Sequence, residues 1–309
     1  MGRITNKMSR DFGINGYNVC TCCLLKKIAP MADQKQQESI NPWGLKSWTY
    51  LSSLRQHSPL IQCITNFVSM DIMANTLLAA GASPAMVHSI LEIPDFTPHT
   101  QSVLINVGTL TPDWLPAMKA AAGVANQLGK PWVLDPAAVG ASSFRLKACL
   151  ELIELKPTVI RGNGSEIIAL SMASIGSTKG ADSLHESKDA VESAKSLAKS
   201  SGSIVAISGS VDFVTDGERV VGAHNGVPMM QKITASGCAV TALIAAFVAV
   251  DPTHAFEATA SAFSVFGLAG EIAMELAKGP ASLRMHLIDT LHGLDQDTVL
   301  HGVTISNFS

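Results

Sequence analysis

Several apolar runs of this chain end on polar residues that can hold ions. They are Thr65-Asn66, Asn106, Asp135-Pro136, Arg161-Gly162-Asn163-Gly164 and Ser208-Gly209. Asp135, Asn163 and Glu166 offer hard oxygen ligands of the kind magnesium takes, and Arg161 is a planar fork suited to phosphate. A turn of small residues, Thr234-Ala235-Ser236-Gly237-Cys238, opens into an apolar run from Ala239 to Val250. The first amides of such a helix have no partner inside it, and the positive end of its dipole attracts anions, so Ala235, Ser236, Gly237 and Cys238 form a candidate anion hole. Cys238 adds a thiol where a helix N-terminus would lower its pKa. The competing reading is structural: Asn, Asp and Gly are ordinary turn residues, Glu166 is a first-turn carboxylate favoured by the helix dipole, and the cysteine packs a buried helix. Five polar strand ends together with the anion turn favour a site over that reading. The chain has no GxxxxGK[ST] loop, so a nucleotide would have to be held by other means.

Ligands of open α/β sheets bind beyond the carboxyl ends of the strands, and the chain from Pro59 onward has that alternation. Short, predominantly apolar runs at Leu60–Ile64, Ala85–His88, Val103–Val107, Trp132–Leu134, Thr158–Ile160 and Ile204–Ile207 predict strands buried on both faces. Between them, Val68–Ala80, Pro112–Leu128, Leu146–Glu154, Ser165–Ala173 and Ser183–Lys199 predict helices. Asp216-Gly217 predicts a hairpin joining Asp212–Thr215 to Arg219–Ala223 at one edge of the sheet. The remainder is expected to be helical: the run after Cys238, then His254–Ala277 and Ser282–Leu294. No composition shift or internal repeat divides residues 41–309, which are expected to form a single domain.

Composition sets limits on function. Of 309 residues, 47% are hydrophobic and 15% charged, enough for a large core. A net charge of -3 and 5% aromatics supply neither a basic field nor stacking platforms, which argues against nucleic-acid binding. The apolar run after Cys238 is too short to span a bilayer, and no membrane partner is expected. Six cysteines, three crowded at Cys20, Cys22 and Cys23 and three scattered at Cys63, Cys149 and Cys238, make no disulfide framework and suit a reducing compartment. Residues 1–40 carry no sustained period and are expected to be a disordered tail. Cytoplasm is the expected location, with a plastid or another organelle, addressed through that tail, as the alternative.

The segments Ile64-Thr65-Asn66-Phe67-Val68, Gly81-Ala82-Ser83-Pro84-Ala85-Met86, Leu134-Asp135-Pro136, Gly162-Asn163-Gly164-Ser165-Glu166 and the Gly237-Cys238 turn resemble those of hydroxyethylthiazole kinases. The likeness runs from about Leu60 to Leu294. It implies a ribokinase-like three-layer αβα fold with a mostly parallel central sheet and helices on both faces. It also implies an activity: phosphorylation of the hydroxyl of 4-methyl-5-(2-hydroxyethyl)thiazole with ATP and Mg2+, in thiamine salvage. By the same resemblance Asn66, Met86 and Ala235 would contact the thiazole, Arg161 and Ser208 the ATP phosphates, and Asp135 and Glu166 the magnesium. Cys238 would be the catalytic residue, receiving or orienting the hydroxyl proton where sugar kinases carry an aspartate. Ala235 stands where relatives often have glycine, which would narrow the pocket by a methyl. A homotrimer with each site at a subunit junction is implied too. Alternatives are a thiol enzyme pairing Cys238 with His224 or His88, a non-catalytic binding protein of this fold, and a related pyrimidine kinase.

Overall fold

The computed structural model describes residues 41–174 and 187–308. The expected tail of residues 1–40, with Cys20, Cys22 and Cys23, and the first residues of the expected helix Ser183–Lys199 lie outside the described residues.

Strand residues of alternating direction divide the interior in two. On β1 (Leu60–Ile64), Ile61 and Cys63 join one apolar cluster and Ile64 the other; on β3 (Ser102–Asn106), Leu104 joins the first, while Val103 and Ile105 join the second. The same division holds on β4 (Trp132–Asp135), β5 (Val159–Asn163) and β6 (Ile204–Ser208). Successive side chains of a strand point to opposite faces, so unbroken apolar runs bury both.

Helices cover each face. α1 (Pro42–His57), α2 (Met70–Ala80), α8 (Ser236–Val250), α9 (Ala255–Leu276), α10 (Pro280–Gly293) and α11 (Gln296–Gly302) pack on the first cluster. The one-turn α3 (Ile93–Phe96), α4 (Trp114–Gln127), α5 (Ser143–Ile153), α6 (Gly164–Ser174) and α7 (Ser187–Ser201) pack on the second. With β2 (Ser83–Ala85), β7 (Asp212–Thr215), β8 (Val220–Ala223) and β9 (Ile305–Asn307), the described strands form one sheet in the order β2-β1-β3-β4-β5-β6-β7-β8-β9. Pairings from β2 to β6 are parallel and those from β6 to β9 antiparallel. This is the expected three-layer αβα arrangement.

Several elements differ from expectation. The second strand was expected at Ala85–His88 and is found at Ser83–Ala85, on the sheet edge where Pro84 costs no ladder bond. Met86 and His88 therefore follow the strand. α1 was not expected, although Asn41 caps the amide of Trp43, Pro42 occupies the first turn, and the buried Ser47, Tyr50, Leu51 and Leu54 recur at helical spacing. After Leu294 the chain makes α11 and then returns as β9 against β8, whereas only helix was expected after the hairpin.

Candidate active site

The carboxyl ends of β4, β5 and β6 and the N-terminus of α8 open onto a cavity of about 600 Å³. Asp135, Arg161, Glu166, Ser208, Ala235, Ser236, Gly237 and Cys238 all line it. Residues drawn from over a hundred positions of sequence thus meet in one space. A further wall comes from Asn225 to Pro228, Met230 and Gln231, with Phe263 and Phe266 of α9.

Arg161 is 7% exposed and its fork is held by one hydrogen bond and one aromatic ring. Its Nη2 donates to Ser208 Oγ at 2.6 Å, and its guanidinium lies over the Phe263 ring, 6.0 Å from the centroid. A Cβ on Gly237 would come 2.8 Å from Nη1, so the first turn of α8 approaches the cation closely because residue 237 has no side chain. Nε is buried without a partner. A cation is thereby held beside the helix terminus, where both favour an anion.

The anion turn is narrower than its sequence suggests. Ser236 donates its amide to Ile233 O at 3.2 Å and its hydroxyl to Met230 O at 3.0 Å. Gly237 and Cys238 retain first-turn amides that no preceding helical carbonyl can reach. Ala235 precedes them with φ 61° and ψ 19°, the left-handed region, where a glycine would pay no steric cost.

Two carboxylates on this cavity are fixed by different means. Asp135, 2% exposed, accepts from Thr241 Oγ1 at 3.0 Å. Burial pushes its pKa up to about 6; Arg161 pulls it down and Glu166 pushes it up. Glu166 is held by a reciprocal cap: Asn163 Oδ1 accepts the Glu166 amide at 3.0 Å, and Glu166 Oε2 accepts the Asn163 amide at 2.7 Å. Its Oε1 accepts the amide of Ala138 at 2.7 Å. The motif Asn163-Gly164-Ser165-Glu166 is therefore a helix start that also aims a carboxylate. Among the described residues no three His, Cys, Asp or Glu side chains gather as a metal cluster. A divalent ion held by one or two carboxylates, with phosphate oxygens completing its shell, fits Asp135 and Glu166.

Cys238 corrects a sequence expectation. The helix terminus was expected to lower its pKa; burial pushes the thiol up to about 12, and the neighbouring Asp135 adds to the shift. Desolvation of the thiolate outweighs the positive terminus because the sulfur sits among α8, β3 and β4. Its partners are Asn106 Nδ2 at 3.2 Å and Asn66 Nδ2 at 3.7 Å. Neither histidine of the thiol-enzyme reading is bonded to it: His88 Nε2 accepts the Thr65 amide at 3.0 Å, and His224 Nε2 meets Ser306 Oγ at 2.8 Å.

Of the three expected thiazole contacts, Ala235 lines the cavity, while Asn66 and Met86 stand apart from its lining. Asn66 is 6% exposed and touches the site through Cys238, and Met86 is half-buried after the edge strand. Sequence reasoning missed Thr241, Asp212, Asn225 and Glu271. Thr241 was visible as a polar residue, three positions after Cys238, in an otherwise apolar helix. Asp212 lines the cavity and accepts the Gly209 amide at 2.9 Å. Glu271 fixes the far wall, accepting from Asn225 Nδ2 at 3.0 Å and from the Gly226 amide at 2.8 Å. A carboxylate within the long apolar α9 was the available signal.

Comparison with known proteins agrees with this geometry. Residues 51–297 match the model of the hydroxyethylthiazole kinase family. A hydroxyethylthiazole kinase of Arabidopsis thaliana is 68% identical over 266 residues, 86% of this chain and 96% of the relative. One from Cereibacter sphaeroides is 50% identical over 257 residues, 83% of this chain and 97% of the relative. A solved structure of a hydroxyethylthiazole kinase protein from Pyrococcus horikoshii superposes with a TM-score of 0.79 at 37% identity, covering 85% of this chain and 99% of that one. A Bacillus subtilis pyridoxal kinase solved as an ADP complex shares the fold, with a TM-score of 0.54 at 18% identity, covering 73% of this chain and 98% of that one. The chain belongs to the hydroxyethylthiazole kinase family.

Proposed function

We propose that this chain transfers the γ-phosphoryl group of ATP to the hydroxyl of 4-methyl-5-(2-hydroxyethyl)thiazole, in thiamine salvage. The observation that carries this reading is Arg161, bonded to Ser208, close to the Gly237 backbone and lining one cavity with Asp135 and Glu166. A cation, bare helix amides and two carboxylates on one cavity suit a polyphosphate and its metal ion. That arrangement has no work to do in a thiol enzyme.

Phosphoryl transfer asks a protein mainly for positioning and charge stabilisation. Arg161 and Ser208 bind the ATP phosphates, and the amides of Gly237 and Cys238 stabilise charge on the transferring group. Asp135 and Glu166 would hold Mg2+, which would supply charge neutralisation to the polyphosphate. Cys238 orients the acceptor hydroxyl. Asn66, Met86 and Ala235 bind the thiazole.

The assembly we propose is a homotrimer with the thiazole site completed at a subunit junction. It is supported by Phe67, 64% exposed, Val68, 58%, and Leu91, 84%, which flank the strand ends carrying Asn66 and Met86. Free buried thiols at Cys63 and Cys149 suit the reducing cytoplasm. No helix among the described residues is long and apolar enough to cross a membrane.

The test is incubation with ATP, Mg2+ and the thiazole alcohol, followed by detection of the phosphate ester. Ester formation that requires all three is the expected result. ATP binding without transfer would leave a binding protein, and a trapped Cys238 adduct would favour the thiol enzyme.

A further inference from the structure

Asn106 ends β3 with no exposed surface, and its amide is engaged on both sides. Its Oδ1 accepts from Asn66 Nδ2 at 2.8 Å and from the Gly108 amide at 2.9 Å. Its Nδ2 must then face the other way, where it donates to Cys238 Sγ at 3.2 Å and lies beside Asp135, its register partner on β4. The orientation of Asn66 is fixed in turn, because its Oδ1 accepts the amides of Val68 at 2.9 Å and Ser69 at 3.0 Å. Amide orientations are assigned from partners, and here two backbone or side-chain donors on each oxygen leave no room for a flip. The packing depends on Gly108, since a Cβ there would meet Asn66 Nδ2 at 2.7 Å.

A chain of donors therefore runs from the start of α2 to the sulfur. The thiol has one proton and accepts weakly through its lone pairs, and two amide N–H groups already point at Sγ. The S–H bond is left to turn away from them, and Cys238 lines the cavity. We propose that Asn106 is a positioning residue that presents Cys238 to the cavity as a hydrogen-bond donor, holding the acceptor alcohol by S–H···O without taking its proton.

The inference rests on the kinase reading and assigns the proton within it. The alcohol oxygen bonds to the γ-phosphorus as the bond to the β–γ bridging oxygen breaks. ADP leaves with that electron pair, and the alcohol proton passes to an oxygen of the transferred phosphoryl group. The thiol proton stays on sulfur throughout.

Two variants and one spectrum test this. Asn106→Ser removes the donor to sulfur, and Asn106→Asp keeps the acceptor for Asn66 and Gly108 while drawing the thiol proton away from the cavity. Each should lower kcat about tenfold, the scale of one hydrogen bond in a dry site, with KM for ATP changed by less than about twofold. In a Cys238→Ala background, Asn106→Ser should cost less than about twofold more, because its effect travels through the sulfur. A full tenfold loss in that background would make Asn106 merely structural and overturn the proposal. Should the Asn106 variants not fold, the S–H stretching band of the parent decides. Assigned by difference against Cys238→Ser, it should move to lower frequency when the thiazole alcohol binds. A parent that forms the ester with an unmoved band overturns the donor assignment alone; a parent that forms no ester overturns the kinase reading.

Discussion

Arg161 Nη2 donates to Ser208 Oγ across 2.6 Å, between the adjacent parallel strands β5 and β6. Removing the guanidinium by Arg161→Ala should raise KM for ATP about tenfold or more, since a charged hydrogen bond is worth about 1.5–3 kcal/mol. KM for the thiazole should change far less. An unchanged ATP saturation curve would remove Arg161 from the phosphate site.

Gly237→Ala should reproduce that defect without touching a charge. The added Cβ would fall 2.8 Å from Arg161 Nη1 and 3.2 Å from Nη2, forcing the fork away from the start of α8. A raised KM for ATP is expected, with a stability loss of about 1–3 kcal/mol from overpacking. Calorimetry of nucleotide binding alongside thermal unfolding separates the two effects.

Glu166→Gln keeps volume but loses charge at a side chain that accepts from both Asn163 and Ala138. The Mg2+ concentration needed for half-maximal rate should rise. One oxygen of the cap becomes an amide donor facing a backbone N–H, so a stability loss of about 1 kcal/mol should accompany it. Metal titrations that overlay those of the parent would leave Glu166 only its structural role as a cap.

Asp212 and Asp135 are both pushed up to about 6, in each case first by burial. A carboxyl whose folded-state pKa lies above its unfolded value stabilises the fold below the usual carboxylate range, and that contribution is lost as pH rises through about 6. Asp212→Asn removes one such group while leaving an acceptor for the Gly209 amide. Without ligands, its advantage in denaturant midpoint over the parent should grow between about pH 4 and 7 and then level off. A difference independent of pH would mean that Asp212 is not strained by burial.

Ala235→Gly should relieve a left-handed backbone at φ 61°. The relief, roughly 1–2 kcal/mol, is partly offset by the added freedom of glycine in the unfolded chain, about 0.4–1 kcal/mol. A small rise in melting temperature is the expected result. The same change widens the thiazole side by a methyl, so KM for bulkier thiazole alcohols should fall.

Much of the architecture was readable because its causes are local. Apolar runs such as Leu60–Ile64 must be buried on both faces, and all but Ala85–His88, of which only Ala85 pairs, were found in the sheet. Asp216-Gly217 announced its hairpin, whose loop is four residues long, Asp216 to Arg219, between Thr215 and Val220. Asn163 and Glu166, three positions apart, cap one helix, and their partnership needs nothing from the rest of the chain. α1 also carried its signals, Asn41, Pro42 and the spacing from Ser47 to Leu54, and these were missed. β9 offered only three residues, and what makes it a strand is the open edge of β8.

The sequence by itself determined the family, the alternation of strands and helices from β1 to β8, and three of the five polar strand ends, those of β4, β5 and β6, as the ones that line the cavity. Tertiary structure decided how those ends act on one another. The bond from Asn106 to Cys238 spans 132 positions and that from Thr241 to Asp135 spans 106, separations at which no spacing rule operates. It also reversed the thiol's expected pKa, because a helix terminus is a local feature whereas desolvation depends on every layer packed around the sulfur.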